Sequence, residues 1–272
     1  MDTLALRRLV KVSLGRGVEL LAHVQMDMKK NTMRSLASYF VVVLLALASA
    51  VDSHAELVAG WDFQTTANGG TAVAASPNTP KQFVANFGAG TLHLNGQNGA
   101  SDWFVPATGS TNTELTAFSG TAVNAGPGFS TVTTSPAALV LLNQTANSKS
   151  AVFKFSMAGF QDLVVSYATQ RTNTGFTTQA WSFSTDGTNW TDHQTITNLP
   201  TAFATQTLNN ITGLNGATDA YLRLTVTGAT AAAGNNRLDN IQFNATAVPE
   251  PTSLLLVGSV ALGGLVYRRN RK

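Results

Sequence analysis

The chain has 272 residues, a formal net charge of +3 and no cysteine. Without cysteine it can form neither a disulfide framework nor a thiolate metal site. The positive charge belongs to the two ends, because residues 56–248 contain six basic and nine acidic side chains, a net charge of −3. This central region has no basic patch, so the composition argues against nucleic-acid binding.

Residues 1–27 form a mixed apolar and basic segment that precedes a typical signal-peptide sequence beginning near Met28. The segment is unusually long for the n-region of a signal peptide. We interpret it as the result of a start codon assigned too far upstream, with the true start at Met26, Met28 or Met33. The alternative is a genuine extended n-region, in which residues 6–12 could form a helix. We assign this segment no function.

Residues 28–55 have the three parts of a secretory signal peptide. A basic n-region, Met28–Arg34, is followed by an apolar core that is densest over residues 39–47. Two small-residue cleavage sites follow, Ala48-Ser49-Ala50 and Ser53-His54-Ala55. The sequence therefore predicts export through the Sec translocon and removal of this segment by signal peptidase.

The local signals of residues 56–247 are nearly all those of β-structure. Short apolar or alternating runs lie between turn signals such as Asn68-Gly69-Gly70 and Asp186-Gly187, and no long stretch has helical spacing. Eleven strands are predicted, at 57–63, 82–87, 91–94, 138–142, 150–156, 161–169, 179–184, 193–197, 201–207, 220–227 and 237–243. Residues 96–134 are poor in strand signal, which predicts long loops. The pattern favours one all-β domain, an antiparallel β-sandwich and most simply a jelly roll.

The segment Phe176–Asp192 carries more pattern than its composition requires. Trp181 and Phe183 alternate with small residues, Asp186-Gly187 makes a tight turn, and Trp190 follows. One interpretation is a hairpin whose aromatic residues pack in the core. The other is a carbohydrate-binding site in which Trp181 or Trp190 offers a ring face to the C–H groups of a sugar. The Ser184-Thr185-Asp186-Gly187-x-x-Trp190 motif resembles that of galactose-binding-like and related extracellular β-sandwich domains.

The C-terminus has three parts in a fixed order. Val248-Pro249-Glu250-Pro251 contains two prolines, which end any preceding element. An uncharged apolar run follows, residues 254–267, and then a basic tail with Arg268, Arg269, Arg271 and Lys272. As a helix the apolar run spans about 20 Å, short of the ~30 Å hydrocarbon core. The basic tail predicts that the upstream residues lie outside the cytoplasm.

This tail resembles the PEP-CTERM sorting signal of Gram-negative bacteria. The resemblance covers about a tenth of the chain and rests on the order of the three parts. It implies transient insertion of the C-terminal helix into the inner membrane and recognition of Val248, Pro249, Glu250 and Pro251 by an exosortase, a membrane-embedded cysteine protease. It also implies release to the cell surface or the exopolysaccharide matrix. The alternative is an ordinary single-pass tail anchor.

The segment Gly234–Phe243 resembles the last strand of many PEP-CTERM passengers and other jelly-roll modules. In such folds an acidic residue near the start and an Asp near the end can share a structural Ca²⁺. By this resemblance Asp62 and Asp239 are candidate calcium ligands, together with Asn240 or a backbone carbonyl. The alternative is that Asp239 pairs with Arg237 or caps a turn, and that Asp62 has a similar local role. Two carboxylates supply few of the roughly six to eight oxygens that calcium takes.

No catalytic pattern stands out in the predicted domain. Its two histidines, His93 and His193, lack metal-binding spacing, and it has no nucleophile elbow or phosphate-binding glycine loop. The sequence therefore predicts a non-enzymatic surface or matrix protein, with a structural or carbohydrate-binding domain. The alternatives are a secreted glycan-active hydrolase, since a pair of facing carboxylates cannot be recognised from sequence, and an adhesion or self-assembly module.

Overall fold

The computed structural model describes residues 55–248. The predicted upstream segment 1–27, the signal peptide up to residue 54 and the tail from Pro249 onward lie outside the described residues, as do the two predicted terminal helices. Within residues 55–248, no helix is both long and apolar enough to cross a membrane.

The described region consists of thirteen strands and two short 3₁₀ helices. The strands are Ala55–Trp61 (β1), Gln82–Val84 (β2), Phe87–Gly88 (β3), Gly90–His93 (β4), Leu115–Phe118 (β5), Ala138–Leu142 (β6), Ser150–Phe155 (β7), Phe160–Arg171 (β8), Thr178–Ser184 (β9), Thr191–Thr197 (β10), Ala204–Thr207 (β11), Ala220–Thr227 (β12) and Asn235–Ala247 (β13). The 3₁₀ helices are Gln144–Ala146 and Thr212–Leu214.

The strands form two sheets, and within each sheet every pair of neighbouring strands is antiparallel. Sheet A has the order β11-β8-β13-β1-β3, with β6 paired to β13 and β5 paired to β6. Sheet B has the order β10-β9-β12-β7-β4-β2. The prediction of an all-β antiparallel sandwich is therefore confirmed, whereas its assignment as a jelly roll stays a prediction.

One strand lies where long loops were expected. Leu115–Phe118 is β5, within the segment 96–134, and it pairs with β6 over residues 138–141. The run is only four residues long and has no alternation of apolar and polar residues. Its extended conformation depends on hydrogen bonds to β6, a partner that its own sequence does not identify.

The core lies between the two sheets and is rich in aromatic side chains. Trp61 of sheet A makes edge-to-face contacts with Phe153 and Phe243, at centroid distances of 5.0 and 5.2 Å. Phe153 of sheet B also stacks on Trp181 at 6.1 Å. Because side chains alternate along each strand, the residues between these core positions point to the outer faces of the sheets.

Strand β13 is the most connected strand of sheet A. It is 13 residues long and pairs with β1, β8 and β6. Ala55, the first residue of β1, lies opposite Thr246 near the end of β13. The two ends of the described region therefore leave the sandwich on neighbouring strands, at the same end of sheet A.

Candidate functional site

Trp181 lies in the core and has no open ring face. Its side chain is 2 % exposed, and its indole N–H donates to the Tyr167 hydroxyl at 3.2 Å. That hydroxyl donates in turn to the Gln179 Oε1 atom at 2.5 Å. A sugar cannot reach a ring held in this way, so the sugar-stacking role suggested for Trp181 is corrected. The core interpretation holds for this residue.

Trp190, in contrast, lies half-buried on the outer face of sheet B. The guanidinium carbon of Arg223 lies 4.2 Å from the centre of its ring. Arg223 donates from Nε to the Ser182 hydroxyl at 3.1 Å. A side chain added at Gly99 would come within 3.1 Å of Trp190, so the loop around Gly99 packs against the indole. The Trp190 indole is thus in contact with the Arg223 guanidinium on one side and with the backbone around Gly99 on another.

The strand register extends this arrangement across sheet B. Ser184, Tyr221 and Lys154 occupy one rung, and Ser182 and Arg223 occupy a neighbouring rung. The Lys154 ammonium lies 5.4 Å from the centre of the Tyr221 ring and 3.2 Å from an Asp219 carboxylate oxygen. Its hydrogen bond to Asp219 raises the pKa of Lys154. We call Trp190, Arg223, Tyr221 and Lys154 the Trp190 cluster.

The turn that leads to Trp190 is shaped by the side chain of Asp186. Its Oδ1 atom accepts the N–H groups of Thr188 and Asn189, each at 2.8 Å, and the Ser184 hydroxyl at 2.9 Å. Its Oδ2 atom accepts the Asn189 side-chain amide at 2.7 Å. The hydrogen bonds from Asn189 and Thr188 lower the pKa of Asp186. Asp186 thus has a local structural role in placing Trp190.

The neighbouring part of the face is covered by a loop. His93 of β4 is buried, and its Nε2 atom lies 3.0 Å from the side-chain amide nitrogen of Asn98. Burial lowers the pKa of His93. Beyond Asn98, Trp103 is fully buried and donates from its indole to the Ser150 carbonyl at 2.9 Å. The part of the outer face beside this loop is the side near β12, β9 and β10. There Trp190, Arg223 and Lys154 are half-buried, whereas Tyr221 is buried.

The two candidate calcium ligands lie together on sheet A, away from the Trp190 cluster. Asp239 is 3 % exposed, and the Asp62 charge is near enough to affect its ionisation. The Asp239 carboxylate accepts the N–H groups of Thr121 at 2.8 Å and Asn240 at 2.9 Å. Burial raises the pKa of Asp239 to about 7, and the charge of Asp62 adds to this shift. Asp239 does not pair with Arg237, which instead lies over the Phe118 ring.

Asp62 has no free lone pair for a metal ion. Its Oδ1 atom accepts the N–H groups of Gln64 and Thr65, at 3.0 and 2.9 Å. Its Oδ2 atom accepts the Thr65 hydroxyl at 2.5 Å and the Ser130 N–H at 2.9 Å. Since an ionised carboxylate offers about four lone-pair positions, these four donors saturate it. Asp62 also caps the turn that follows β1, as its local-role alternative predicted.

Asn240 contributes an oxygen without a partner. Its side-chain nitrogen donates to the carbonyls of Thr121 and Val123, at 2.8 and 3.0 Å, and fixes the loop that covers the carboxylates. Its Oδ1 atom is buried and has no hydrogen-bond partner. No group of three or more His, Cys, Asp or Glu side chains suited to a metal lies within residues 55–248. Asp239 and Asn240 therefore retain oxygen lone pairs, whereas Asp62 does not.

The domain ends where the predicted sorting motif begins. The N–H of Val248 donates to the Gly159 carbonyl at 2.8 Å, one residue beyond the end of β13. Pro249, Glu250 and Pro251 follow directly in the sequence and lie outside the described residues.

Residues 247–272 match the family described as the PEP-CTERM protein-sorting motif. The tail is a PEP-CTERM sorting motif. The prediction made from its three parts is confirmed, and the motif implies export and sorting to the cell envelope or surface of a Gram-negative bacterium. No curated protein matches the chain.

Solved structures similar to this PEP-CTERM protein include carbohydrate-binding modules. A CBM61 module in complex with beta-1,4-galactotriose has 15% sequence identity and a TM-score of 0.30, over 48% of this chain and 81% of the module. A CBM36 module in complex with calcium and xylotriose has 19% identity and a TM-score of 0.27, over 39% of this chain and 78% of the module. The CBM36-1 domain of a multidomain xylanase from the hindgut metagenome of Trinervitermes trinervoides has 13% identity and a TM-score of 0.29, over 39% and 75%. At TM-scores this low, the likenesses carry no weight for the ligand of the PEP-CTERM passenger.

Sequence reasoning identified one member of the Trp190 cluster and missed the others. The alternation in β12 indicates that Tyr221, Arg223 and Thr225 share a face of their strand. That pattern does not show that the face lies beside Trp190, because the pairing of β12 with β9 joins residues about forty positions apart. A cation beside an aromatic ring is therefore found only once the register of the PEP-CTERM passenger is known.

Proposed function

We propose that this protein is exported, processed by an exosortase and delivered to the cell surface or the exopolysaccharide matrix, where its sandwich binds polysaccharide without hydrolysing it. The PEP-CTERM motif supports the sorting part of the proposal. Export by way of the Sec translocon and signal peptidase is inferred from the three-part N-terminal segment. The binding part rests on the side chains of sheet B.

The observation that carries polysaccharide binding is the Trp190 cluster. It combines a half-buried indole, a stacked guanidinium, a phenol and an ammonium on one sheet face. Arg223 makes one side-chain hydrogen bond among residues 55–248, from Nε to Ser182. Its terminal N–H groups are left to donate to ligand hydroxyls or carboxylates. Aromatic rings beside hydrogen-bond donors are suited to sugars, which have apolar C–H faces and polar edges.

The three buried carboxylates of residues 55–248 are not placed for hydrolysis. A glycosidase needs two carboxyl groups on either side of an accessible bond. Asp62 and Asp239 are both buried, beneath a loop of sheet A. Glu114 is also buried and is engaged by the Lys149 ammonium and the Thr145 hydroxyl. These three groups stabilise the fold and are not exposed to a polymer. Asp186 and Asp219, beside the Trp190 cluster, are exposed but are engaged by Asn189 and Lys154.

We propose Asp239 and Asn240 as the side chains that would coordinate a calcium ion. Asp239 retains lone pairs, and Asn240 offers an unpartnered oxygen. None of the ion pairs found within residues 55–248 involves Asp62 or Asp239. A cation bound there would neutralise the repulsion between the two buried carboxylates and would stabilise the loop above them.

The test of binding uses residues 55–248, which form a closed sandwich with its own core. We would measure retention on a panel of polysaccharides, including the matrix of the producing bacterium, by affinity electrophoresis. Trp190→Ala is expected to weaken retention at least tenfold. Phe104→Ala is the matched control, since Phe104 is an aromatic residue outside the cluster with 47% of its surface exposed.

Three results would change the proposal. Absence of retention for the folded wild-type domain would remove polysaccharide binding, as would an equal effect of Trp190→Ala and Phe104→Ala. Release of reducing sugars from a retained polymer would favour the hydrolase alternative. Concentration-dependent self-association of the domain without retention would favour the adhesion or assembly alternative.

A further inference from the structure

The last residues of the folded domain are also the first residues of the sorting motif. The motif covers residues 247–272, whereas β13 extends to Ala247. Ala247 lies opposite Phe160 of β8, and the Val248 N–H donates to the Gly159 carbonyl at 2.8 Å. One position earlier, Thr246 lies opposite Gln161 of β8 on one side and Ala55 of β1 on the other. No linker separates the sheet from the Pro-Glu-Pro step.

This position matters because a sorting protease must bind an extended stretch of its substrate. Extended peptides are commonly bound through their backbone N–H and C=O groups. In residues 246–248 these groups take part in the ladder with β8, and at Thr246 the neighbouring β1 pairs as well. An enzyme that needs them must wait until the end of β13 separates from its neighbours by local opening.

We propose that the paired end of β13 controls the rate at which the sorting motif is processed. In the folded domain residues 246–248 become available only when their pairing with β8 opens. The proposal rests on the exosortase processing that the PEP-CTERM motif implies. It is independent of the binding proposed for the Trp190 cluster.

A reversible covalent lock tests the proposal on the full chain. The natural chain has no cysteine, so the intended bond is the only intramolecular disulfide that a pair introduced as Gln161→Cys and Thr246→Cys can form. Non-reducing electrophoresis separates this form from any cross-linked dimer. Both side chains are half-buried and lie opposite each other on paired antiparallel strands. The matched control is Thr178→Cys with Thr197→Cys, a paired position on β9 and β10 in the other sheet.

The measurement is pulse-chase conversion of the precursor to its processed form, in a Gram-negative host that carries the exosortase. We expect the β8–β13 lock to slow conversion severalfold and dithiothreitol to restore it, while the control pair converts at the wild-type rate. A complementary variant inserts Gly-Ser-Gly-Ser between Thr246 and Ala247, which moves the whole motif, residues 247–272, beyond the ladder and keeps the pairing of Thr246 with Gln161 in place. This variant is expected to convert faster than wild type.

The outcomes separate this proposal from the sorting on which it rests. If wild type is not converted at all, the sorting part of the proposed function fails and this proposal fails with it. If wild type is converted and the oxidised lock converts at the same rate, the control by β13 is overturned while sorting stands. An unchanged rate in the spacer variant would also overturn it, because that variant does not depend on disulfide formation.

Discussion

The ionisation of the buried residue Asp239 is coupled to folding. Its pKa is about 7 in the folded domain, against an ordinary value of 3.8, because burial disfavours the charged form. Between these two pH values the folded domain holds a proton that the unfolded chain releases. The stabilisation is therefore present in full below pH 3.8 and is lost as the pH rises through 7.

We predict that the free energy of unfolding of residues 55–248, measured by urea denaturation without calcium, decreases between pH 4 and pH 7.5. The contribution of Asp239 is on the order of 4 kcal/mol, from a shift of about three pKa units. Asp239→Asn lowers stability at pH 4 and removes this part of the pH dependence. Parallel pH profiles for wild type and variant would show that Asp239 is not the group responsible.

The same variant tests calcium at this position. Above pH 7 a bound calcium ion would stabilise the wild-type domain, a chelator would reverse the effect, and Asp239→Asn would abolish it. A calcium effect of equal size in both proteins would exclude the pair of Asp239 and Asn240 as the site.

At the scale of elements, the segment 119–134 depends on one aromatic anchor. The Phe129 ring stacks on Phe87 at a centroid distance of 4.3 Å and an interplanar angle of 8°. A Cβ added at Gly60 of β1 would lie 2.5 Å from the Phe129 ring, so the ring occupies the space that a larger residue would fill. Phe129 thus holds the loop that covers Asp62 and Asp239 against the outer face of sheet A.

We predict that Phe129→Ala lowers the free energy of unfolding by about 3 kcal/mol, the loss expected for a buried Phe. The loop should also become sensitive to limited proteolysis between residues 119 and 134. Val132→Ala is the control within the same loop, because Val132 is 44% exposed and its truncation leaves no cavity. Equal stability of the two variants would show that the loop is held mainly by its polar contacts.

The elements also show how far the sequence could predict the fold. The bounds of β6 and β12 follow from apolar or alternating runs that turn signals enclose, and both were predicted correctly. Strand β13 extends four residues beyond the predicted Phe243, because β1 and β8 pair with the backbone of residues 244–247, three of which are Asn or Ala and have little strand propensity. Pairing across the sheet is a tertiary effect, and local sequence does not contain it.

The candidate site was predictable to a smaller extent for the same reason. An Asp-Gly turn followed by Trp190 can be recognised from the sequence, because the turn chemistry is local. Whether Trp181 or Trp190 faces the core depends on which face of β9 meets the other sheet. Likewise, the four donors to Asp62 come from two separate segments, residues 64–65 and Ser130. Contacts between segments so far apart in sequence depend on the topology of the sheets and cannot be predicted from local sequence.

At the scale of the whole molecule, β13 is both the last strand in the sequence and the central strand of sheet A. The sandwich can therefore be completed only after β13 has been added. Leu238, Ile241 and Phe243 of β13 belong to the core, and β1 pairs mainly with this strand. During export the domain can therefore close only after residue 247 has crossed the membrane, when the apolar tail is about to enter it. Because Ala55 and Thr246 are paired, the two ends of the described region, residues 55 and 248, lie at adjacent positions of the sandwich.

This adjacency predicts that the domain tolerates circular permutation. A loop of about four residues is enough to join neighbouring antiparallel strand ends, so it should connect Val248 to Ala55. New ends can be opened at Gly109, in a stretch that is exposed and has no atom within 4 Å of a Cβ added at the glycine. We expect the permutant to keep a single cooperative denaturation transition and the circular dichroism spectrum of wild type. The control is opened between Asn240 and Ile241, within β13, and should not fold. A permutant that fails at Gly109 as completely as this control would contradict the adjacency of residues 55 and 248.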